Sequence, residues 1–299
     1  MPPRLCALTV WLPLAAAAGG CKLAGYEGPV SQSLATCRQY SQRGVAAMEQ
    51  GQAREAEQWL AKAVKSCPSD PEARRHYGEA LWKRGAGAEA VVQMQEAARR
   101  ARDDAGIQVR LAEMQTALGD LAAAQQHVNR AIDLNPKLPA AWATRARMER
   151  TAGQLREALA DYHRALGYAP DDAGVLIEVA EVYRQLNQPQ RALQTLQGLA
   201  ETYTPGEEPP QVLHLMGIAY VNLGRHDDAV ETLGAAVLRG NPSPDLYYHL
   251  AEAELLAGHP NEATAAAQQA LALEPAHRPS RELLGRVEIA RNPQAPTLR

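Results

Sequence analysis

Small apolar residues recur along this chain at fixed intervals, with polar residues between them. Gly44, Ala56, Ala63 and Pro68 return as Ala112, Ala124, Ala131 and Pro136. They return again as Ala146, Ala158, Ala165 and Pro170, and as Ala251, Ala263, Ala270 and Pro275. The period is 34 residues, and a period of that size marks a repeat architecture. Each unit predicts two helices. Small side chains recur because the two helices cross closely, and bulk there would push the backbones apart. Gly51, Gly85, Gly119, Gly153, Asn187, Gly224 and Gly258 fall between the two helices; glycine, or sometimes asparagine, ends a helix in the left-handed conformation. Prolines at the unit ends stop the second helix and set up the next.

The units open at Cys37, Pro71, Ala105, Pro139, Ala173, Pro210 and Pro244. The step from Ala173 to Pro210 is 37 residues, so three are inserted there, within Thr204 to Gln211. Three prolines and two acids make that segment a loop. It reads as a tolerated surface insertion, or as a hinge or partner contact dividing five units from two. After the seventh unit, which ends near His277, residues 278–291 read as one more helix. Leu283, Leu284, Val287 and Ala290 lie on its apolar side, with Arg281, Glu282, Arg286 and Glu288 toward water. Such a helix covers the last apolar face of a repeat array. Pro293 and Pro296 point to a frayed tail over 292–299.

The fourth unit carries Trp142, Ala146, Gly153, Ala158, Tyr162, Ala165 and Pro170. The sixth carries Gly217, Tyr220, Gly224, Ala229, Leu233 and Ala236, and the second Tyr77, Gly78, Leu81, Gly85, Ala90, Met94 and Ala97. This pattern resembles the tetratricopeptide repeat, a helix–turn–helix unit. The second unit departs from it with Arg102 in place of the terminal proline, and the fifth with Asn187 and Leu199. The resemblance covers about four fifths of the chain. It implies an all-α, right-handed α-solenoid of seven units with a C-terminal capping helix. It also implies a concave groove for a protein or peptide partner, and no catalysis.

In that family the first helix of each unit lines the groove. Here the matching positions hold Arg75, His76, Glu79 and Trp82, then Arg110 and Glu113, then Arg147 and Arg150, then Glu178, Glu181 and Arg184. His214, Leu215 and Ile218 follow in the sixth unit, and Tyr248 and His249 in the seventh. Charges of both signs fill the middle, and the C-terminal end is more apolar and aromatic. The family's clamp for a C-terminal carboxylate needs Lys and Asn where this chain has Ser41, Val45, His76, Gly106 and Arg110; only Arg110 fits.

Composition agrees with a solenoid. The chain is 46% hydrophobic but 5% aromatic, without phenylalanine. Stacked units bury each face against a neighbour, so alanine and leucine suffice. A net charge of -3 argues against nucleic acid held by counterion release. The sequence holds no phosphate-binding glycine loop, no paired-histidine zinc helix and no cysteine knuckle. No enzyme activity, cofactor, metal or small-molecule substrate is expected.

Residues 1–20 follow different rules. Arg4 precedes an uncharged apolar stretch from Leu5 to Ala18, and then Gly19, Gly20 and Cys21. This reads as a secretory signal, and the stretch is shorter than the about 20 apolar residues a membrane span needs. Ala18-Gly19-Gly20-Cys21 resembles the lipobox of bacterial lipoproteins, with alanine where leucine is preferred. That resemblance implies lipid attachment at Cys21, and Lys22 after it implies outer-membrane sorting. Ordinary cleavage and an uncleaved anchor are the alternatives. Residues 21–36, with Gly25, Gly28, Pro29, Ser31 and Ser33, read as a tether.

Cys37 and Cys67 bracket the first unit, at the same end of its helix pair. An oxidising compartment would allow a bridge closing a loop of about 30 residues; the alternative is two free thiols. Taken together, the sequence predicts a membrane-anchored lipoprotein scaffold facing the periplasm. A soluble intracellular adaptor is the second reading, and an accessory subunit of a pilus, secretion or polysaccharide-export system the third.

Overall fold

The computed structural model describes residues 29–291, which form 15 α-helices and, among the described residues, no strand. The first helices of the units are α1 (Pro29–Glu49), α3 (Pro71–Lys83), α5 (Ala105–Ala117), α7 (Pro139–Thr151), α9 (Ala173–Gln185), α11 (Pro210–Asn222) and α13 (Pro244–Leu256). The second helices are α2 (Ala53–Ser66), α4 (Gly87–Arg100), α6 (Leu121–Leu134), α8 (Leu155–Tyr168), α10 (Pro189–Ala200), α12 (His226–Arg239) and α14 (Pro260–Leu273). The last helix is α15 (Arg278–Arg291). Each helix packs on the next in the chain, and several first helices also touch the first helix of the following unit: α5 on α7, α9 on α11, α11 on α13. Second helices do not meet to that extent among the described residues, so the first helices form the inner row of the array. The fold is an all-α solenoid.

The turn residue is legible in the backbone. Six turn glycines take φ between 71° and 88°, and Asn187 takes 55°. Several first helices begin on a side-chain cap. Asp70, Asp104, Asp172 and Ser243 accept from the backbone N–H of Glu72, Ile107, Val175 and Leu246, each worth about 1 kcal/mol. Asp104 also answers the missing proline of the second unit: its N–H reaches the Ala101 carbonyl at 3.2 Å, closing the turn that Arg102 enters.

Helix crossings explain the small residues. A Cβ on Gly44 would lie 2.4 Å from Leu60 Cγ, and one on Gly217 would lie 2.4 Å from Leu233 Cγ. Alanine fills the same register at Ala112, Ala146, Ala180 and Ala251, all buried. The facing residues Leu60, Met94, Val128, Tyr162, Leu196, Leu233 and Ala267 are buried as well. Unit 4 adds a polar staple: buried Asp161 accepts from Arg145 at 2.5 Å and Arg164 at 2.6 Å, and both guanidiniums lie within 5 Å of the Trp142 ring centre.

Helix α1 starts at Pro29 instead of Cys37, so residues 29–36 of the expected tether are helical. Proline suits the first helical position, where its missing N–H would be unpaired anyway. The signal segment, Cys21 and the tail over 292–299 lie outside the described residues. None of the described helices is long and apolar enough to cross a membrane. The inserted loop, residues 201–209, turns at Gly206 (φ 95°) and is tied to the last turn of α12 by the Glu208–Arg239 ion pair. One core cluster runs unbroken beneath it, from Ala143 to Ala253. At the far end, Leu283 and Val287 of α15 are buried in the cluster that holds Ala251, Ala263 and Ala267.

Candidate functional site

The inner row brings the expected groove charges together as a ladder across units 2 to 5. Arg110 on α5 donates to both oxygens of Glu79 on α3, at 2.7 and 2.9 Å, and to Glu113 at 3.0 Å. Glu113 lies 3.7 Å from Arg147 on α7, and Thr144 also donates to it at 3.4 Å. Arg147 lies 3.8 Å from Glu178 on α9, which Arg150 reaches at 3.0 Å. Tyr162 donates to Glu178 from the second helix of unit 4, at 3.3 Å. Burial, with the charge of Glu178, pushes that phenol up to about 12, so it stays a donor.

These carboxylates and guanidiniums are half-buried and paired with one another, although Arg150 Nε is buried without a hydrogen-bond partner. Hydrogen bonding to Glu79 raises the Arg110 pKa despite burial, which opposes it. Glu181 and Arg184 form a local pair at 2.6 Å on α9. Burial pushes the Glu181 carboxyl up, and hydrogen bonding and charge from Arg184 bring it below its ordinary value. At the N-terminal end, Arg75 binds Glu72 at 2.6 Å and stands beside His76. Trp82 is partly buried against the cluster of Leu81, Met94 and Leu111, with the Arg110 guanidinium 5.8 Å from its ring centre. The expected mixed-charge docking surface is thus largely engaged within the chain. Two of the inter-unit pairs are offset by about one unit less one helical turn, Glu79–Arg110 and Arg147–Glu178 by 31 residues each, while Glu113–Arg147 spans 34 and Arg150–Glu178 spans 28. Opposite signs at those separations were the available signal.

The C-terminal end of the groove differs. His214 on α11 and His249 on α13 meet at 2.9 Å, Nε2 to Nδ1. Burial, and then the charge of His249, lowers His214 to about 4; burial lowers His249 as well. Both rings are therefore neutral near pH 7, and one donates to the other. Tyr248 packs edge-on against His249, at 5.1 Å, and against His277, at 6.1 Å. Leu215 and Ile218 are partly exposed on α11. No ion pair joins α11 to α13 among the described residues. No group of three or more His, Cys, Asp or Glu among them is arranged to hold a metal.

Cys37 and Cys67 are both buried, with Ala63 and Ala73. They are free thiols here. Cys37 approaches the Ala63 carbonyl at 3.5 Å and Asp70 at 3.7 Å, and Cys67 the Ser33 carbonyl at 3.6 Å. Burial, then the neighbouring Cys67 thiol, pushes the Cys37 thiol up to about 12.

Solved structures share this architecture. A tetratricopeptide repeat protein from Parabacteroides merdae ATCC 43184 superposes with a TM-score of 0.63 at 15% identity, over 85% of this chain and 99% of the other. YrrB, described as a TPR protein with an unusual peptide-binding site, gives 0.52 at 18% identity, over 63% and 96%. The APC/C hetero-tetramer Cut9–Hcn1 gives 0.51 at 15% identity, over 86% of this chain and 46% of the other. Such identities establish the fold alone. No curated protein matches the chain by sequence. Profiles described as tetratricopeptide repeat match residues 42–105 and 214–278, 105–138, and 150–208. Those segments together span most of the chain and contain all seven turn residues, so the chain belongs to the tetratricopeptide repeat family.

Proposed function

We propose that this chain is a docking scaffold of the bacterial cell envelope, anchored in a membrane through lipid on Cys21 and facing the periplasm. It holds a protein or peptide partner at the C-terminal end of its groove. The fold supports a protein–protein interaction scaffold, and two of its solved neighbours, one described with an unusual peptide-binding site and one a hetero-tetramer, are consistent with it. The observation that carries the docking position is the contrast along the inner row. From Glu79 to Arg150 the groove charges already have partners. Around Leu215, Ile218 and Tyr248 the surface is partly apolar and no ion pair joins α11 to α13 among the described residues; the charge there is Glu252, to which Tyr248 donates and which Arg286 of α15 approaches at 3.7 Å. Aromatic and apolar anchors of that kind carry most of the energy of protein interfaces. Lipid anchoring rests on Ala18-Gly19-Gly20-Cys21 after the apolar stretch; lipid chains partition at about 0.8 kcal/mol per buried methylene. On export, Cys37 and Cys67 close to a disulfide, giving two protons and two electrons to the oxidant of that compartment.

One experiment tests localisation and chemistry together. The parent and Cys21→Ser are expressed with a photo-crosslinking residue at Ile218, fractionated, and alkylated without reduction. The parent is expected in the membrane fraction without alkylatable thiol at Cys37 or Cys67, with its crosslinked partner, and Cys21→Ser outside the membrane. A Cys21→Ser protein as membrane-bound as the parent, with unchanged processing, overturns the anchor. Two alkylatable thiols in the mature parent remove the bridge. A crosslink that forms at Glu113 and not at Ile218 moves docking to the middle of the groove.

A further inference from the structure

We infer that the outer side of units 2 and 3 carries a second binding site, for a small organic phosphate: a phosphomonoester group on a compact apolar body. It goes beyond the groove reading and stands or falls apart from it. A cleft of about 490 Å³ opens between α4 and α6, above α5. That volume lies within the range of small-molecule sites, about 300–1,000 Å³. Arg99, Arg102 and Arg130 line it, and no Asp or Glu among the described residues does. Leu111 and Ala98, both buried, supply an apolar floor. Gln108, also buried, is held by His127 Nδ1 at 2.7 Å, which fixes the back wall.

The cations are unequally committed. Arg99 is paired with Glu96 outside the cleft. Arg130 has only Asp103, at 3.8 Å, whose side chain is 92% exposed. Arg102 donates to the Arg99 carbonyl at 3.4 Å and has no carboxylate partner among the described residues. It is the residue that replaces the proline of the repeat. A proline there would remove this charge without harm to the turn, which Asp104 closes. Burial lowers the His127 pKa, so the imidazole is neutral and adds a polar contact. Two available guanidiniums facing one cleft suit a doubly charged phosphomonoester, whose oxygens match the guanidinium fork. The apolar floor favours an organic body over a bare ion.

Isothermal titration of the full chain at low salt, with phenyl phosphate and with inorganic phosphate as probes, tests this. Phenyl phosphate is expected to bind with a Kd below about 1 mM, and inorganic phosphate at least about tenfold more weakly. Arg102→Gln combined with Arg130→Gln should weaken phenyl phosphate by about tenfold or more; both side chains are exposed, so the Tm should not move. Absence of binding at about 10 mM, equal affinity for the two probes, or binding unchanged in the double variant overturns the site. If the double variant unfolds, Arg102→Pro, the residue of the repeat itself, serves in its place and should weaken binding in the same direction.

Discussion

The middle of the groove and its C-terminal end occupy the same positions of the same repeat, yet they are built differently. Units 2 to 5 cross-link their inner helices by ion pairs, from Glu79 through Arg110, Glu113 and Arg147 to Glu178. Units 6 and 7 meet through His214 and His249, two neutral rings, with Tyr248 beside them. A solenoid is stabilised by its units and by the interfaces between neighbours. The middle therefore gains unit-to-unit stability from electrostatics, and its groove is left with few free charges. The end depends on close packing and, with no ion pair between α11 and α13 among the described residues, keeps a more apolar surface open. On the proposed reading, docking and self-support use the same residue positions, and each region serves one of them.

The packing dependence of the end gives the largest expected effect. Gly217→Ala places a Cβ 2.4 Å from Leu233 Cγ and 2.6 Å from Cδ2, and Leu233 is fully buried. Overpacking of that kind costs about 1–3 kcal/mol, and it pushes α11, with Leu215 and Ile218, away from α12. Gly234→Ala in the neighbouring helix meets nothing within 4 Å and should stabilise by about 0.5–1 kcal/mol through helix propensity. Urea unfolding of the two variants is expected to shift in opposite directions. If Gly217→Ala is neutral, the end is not closely packed and the contrast with the middle loses its basis.

The ladder gives the second effect. Arg110→Ala leaves Glu79 without its bidentate partner between units 2 and 3. The two side chains are 32% and 21% exposed, so the loss should lie between the exposed and buried cases, about 1–2 kcal/mol. Arg184→Ala removes a pair within one helix and should cost only about 0.3 kcal/mol. Hydrogen exchange should show faster opening at the junction of α3 and α5 for the first variant and not for the second. High salt should narrow the difference by screening the exposed part of the ladder. Equal effects from both variants would mean that the ladder does not couple units.

Much of this contrast was legible in the sequence, and the remainder needed geometry. Helices α3, α5, α7, α9, α11 and α13 begin at the residues that open each unit, from Pro71 to Pro244. All seven turn residues have positive φ, Asn187 included, because the left-handed turn is a local requirement that glycine or asparagine meets by itself. The neighbouring groove positions of His214 and His249 follow from the period, and the rings do meet. The start of α1 was obscured: Gly28, Pro29, Ser31 and Ser33 read as a tether, although proline is also a normal first residue of a helix. The ladder was missed because each charge alone reads as a solvated helix face. Pairing becomes visible only once the offset between stacked units is known. The three-arginine cleft lies on the outer side, away from the positions that the family resemblance singles out.

The histidine pair gives the smallest effect, and its sign follows from linkage. Burial and His249 hold His214 at about 4, against an ordinary value of 6.5. Between those values the unfolded chain binds more protons than the folded one, so stability is full above about pH 6.5 and is lost as the pH falls toward 4. Facing the pair are Asp245 and Glu252, which favour protonation, and Arg184, which opposes it. His214 is only half-buried, so solvent screening reduces the effect. The expected extra loss of Tm between neutral and mildly acid solution is on the order of 2 °C. It should be absent in His214→Gln, which keeps a hydrogen bond to His249 without titrating. Carboxylates elsewhere titrate alike in both proteins, so the difference between the two pH profiles isolates the pair. The ladder responds chiefly to salt in this range and the pair to protons, so the two regions should separate cleanly in a matrix of pH and ionic strength. Parallel profiles for parent and variant would show that the rings do not share a bond in solution, and that the end of the groove is open to water between α11 and α13.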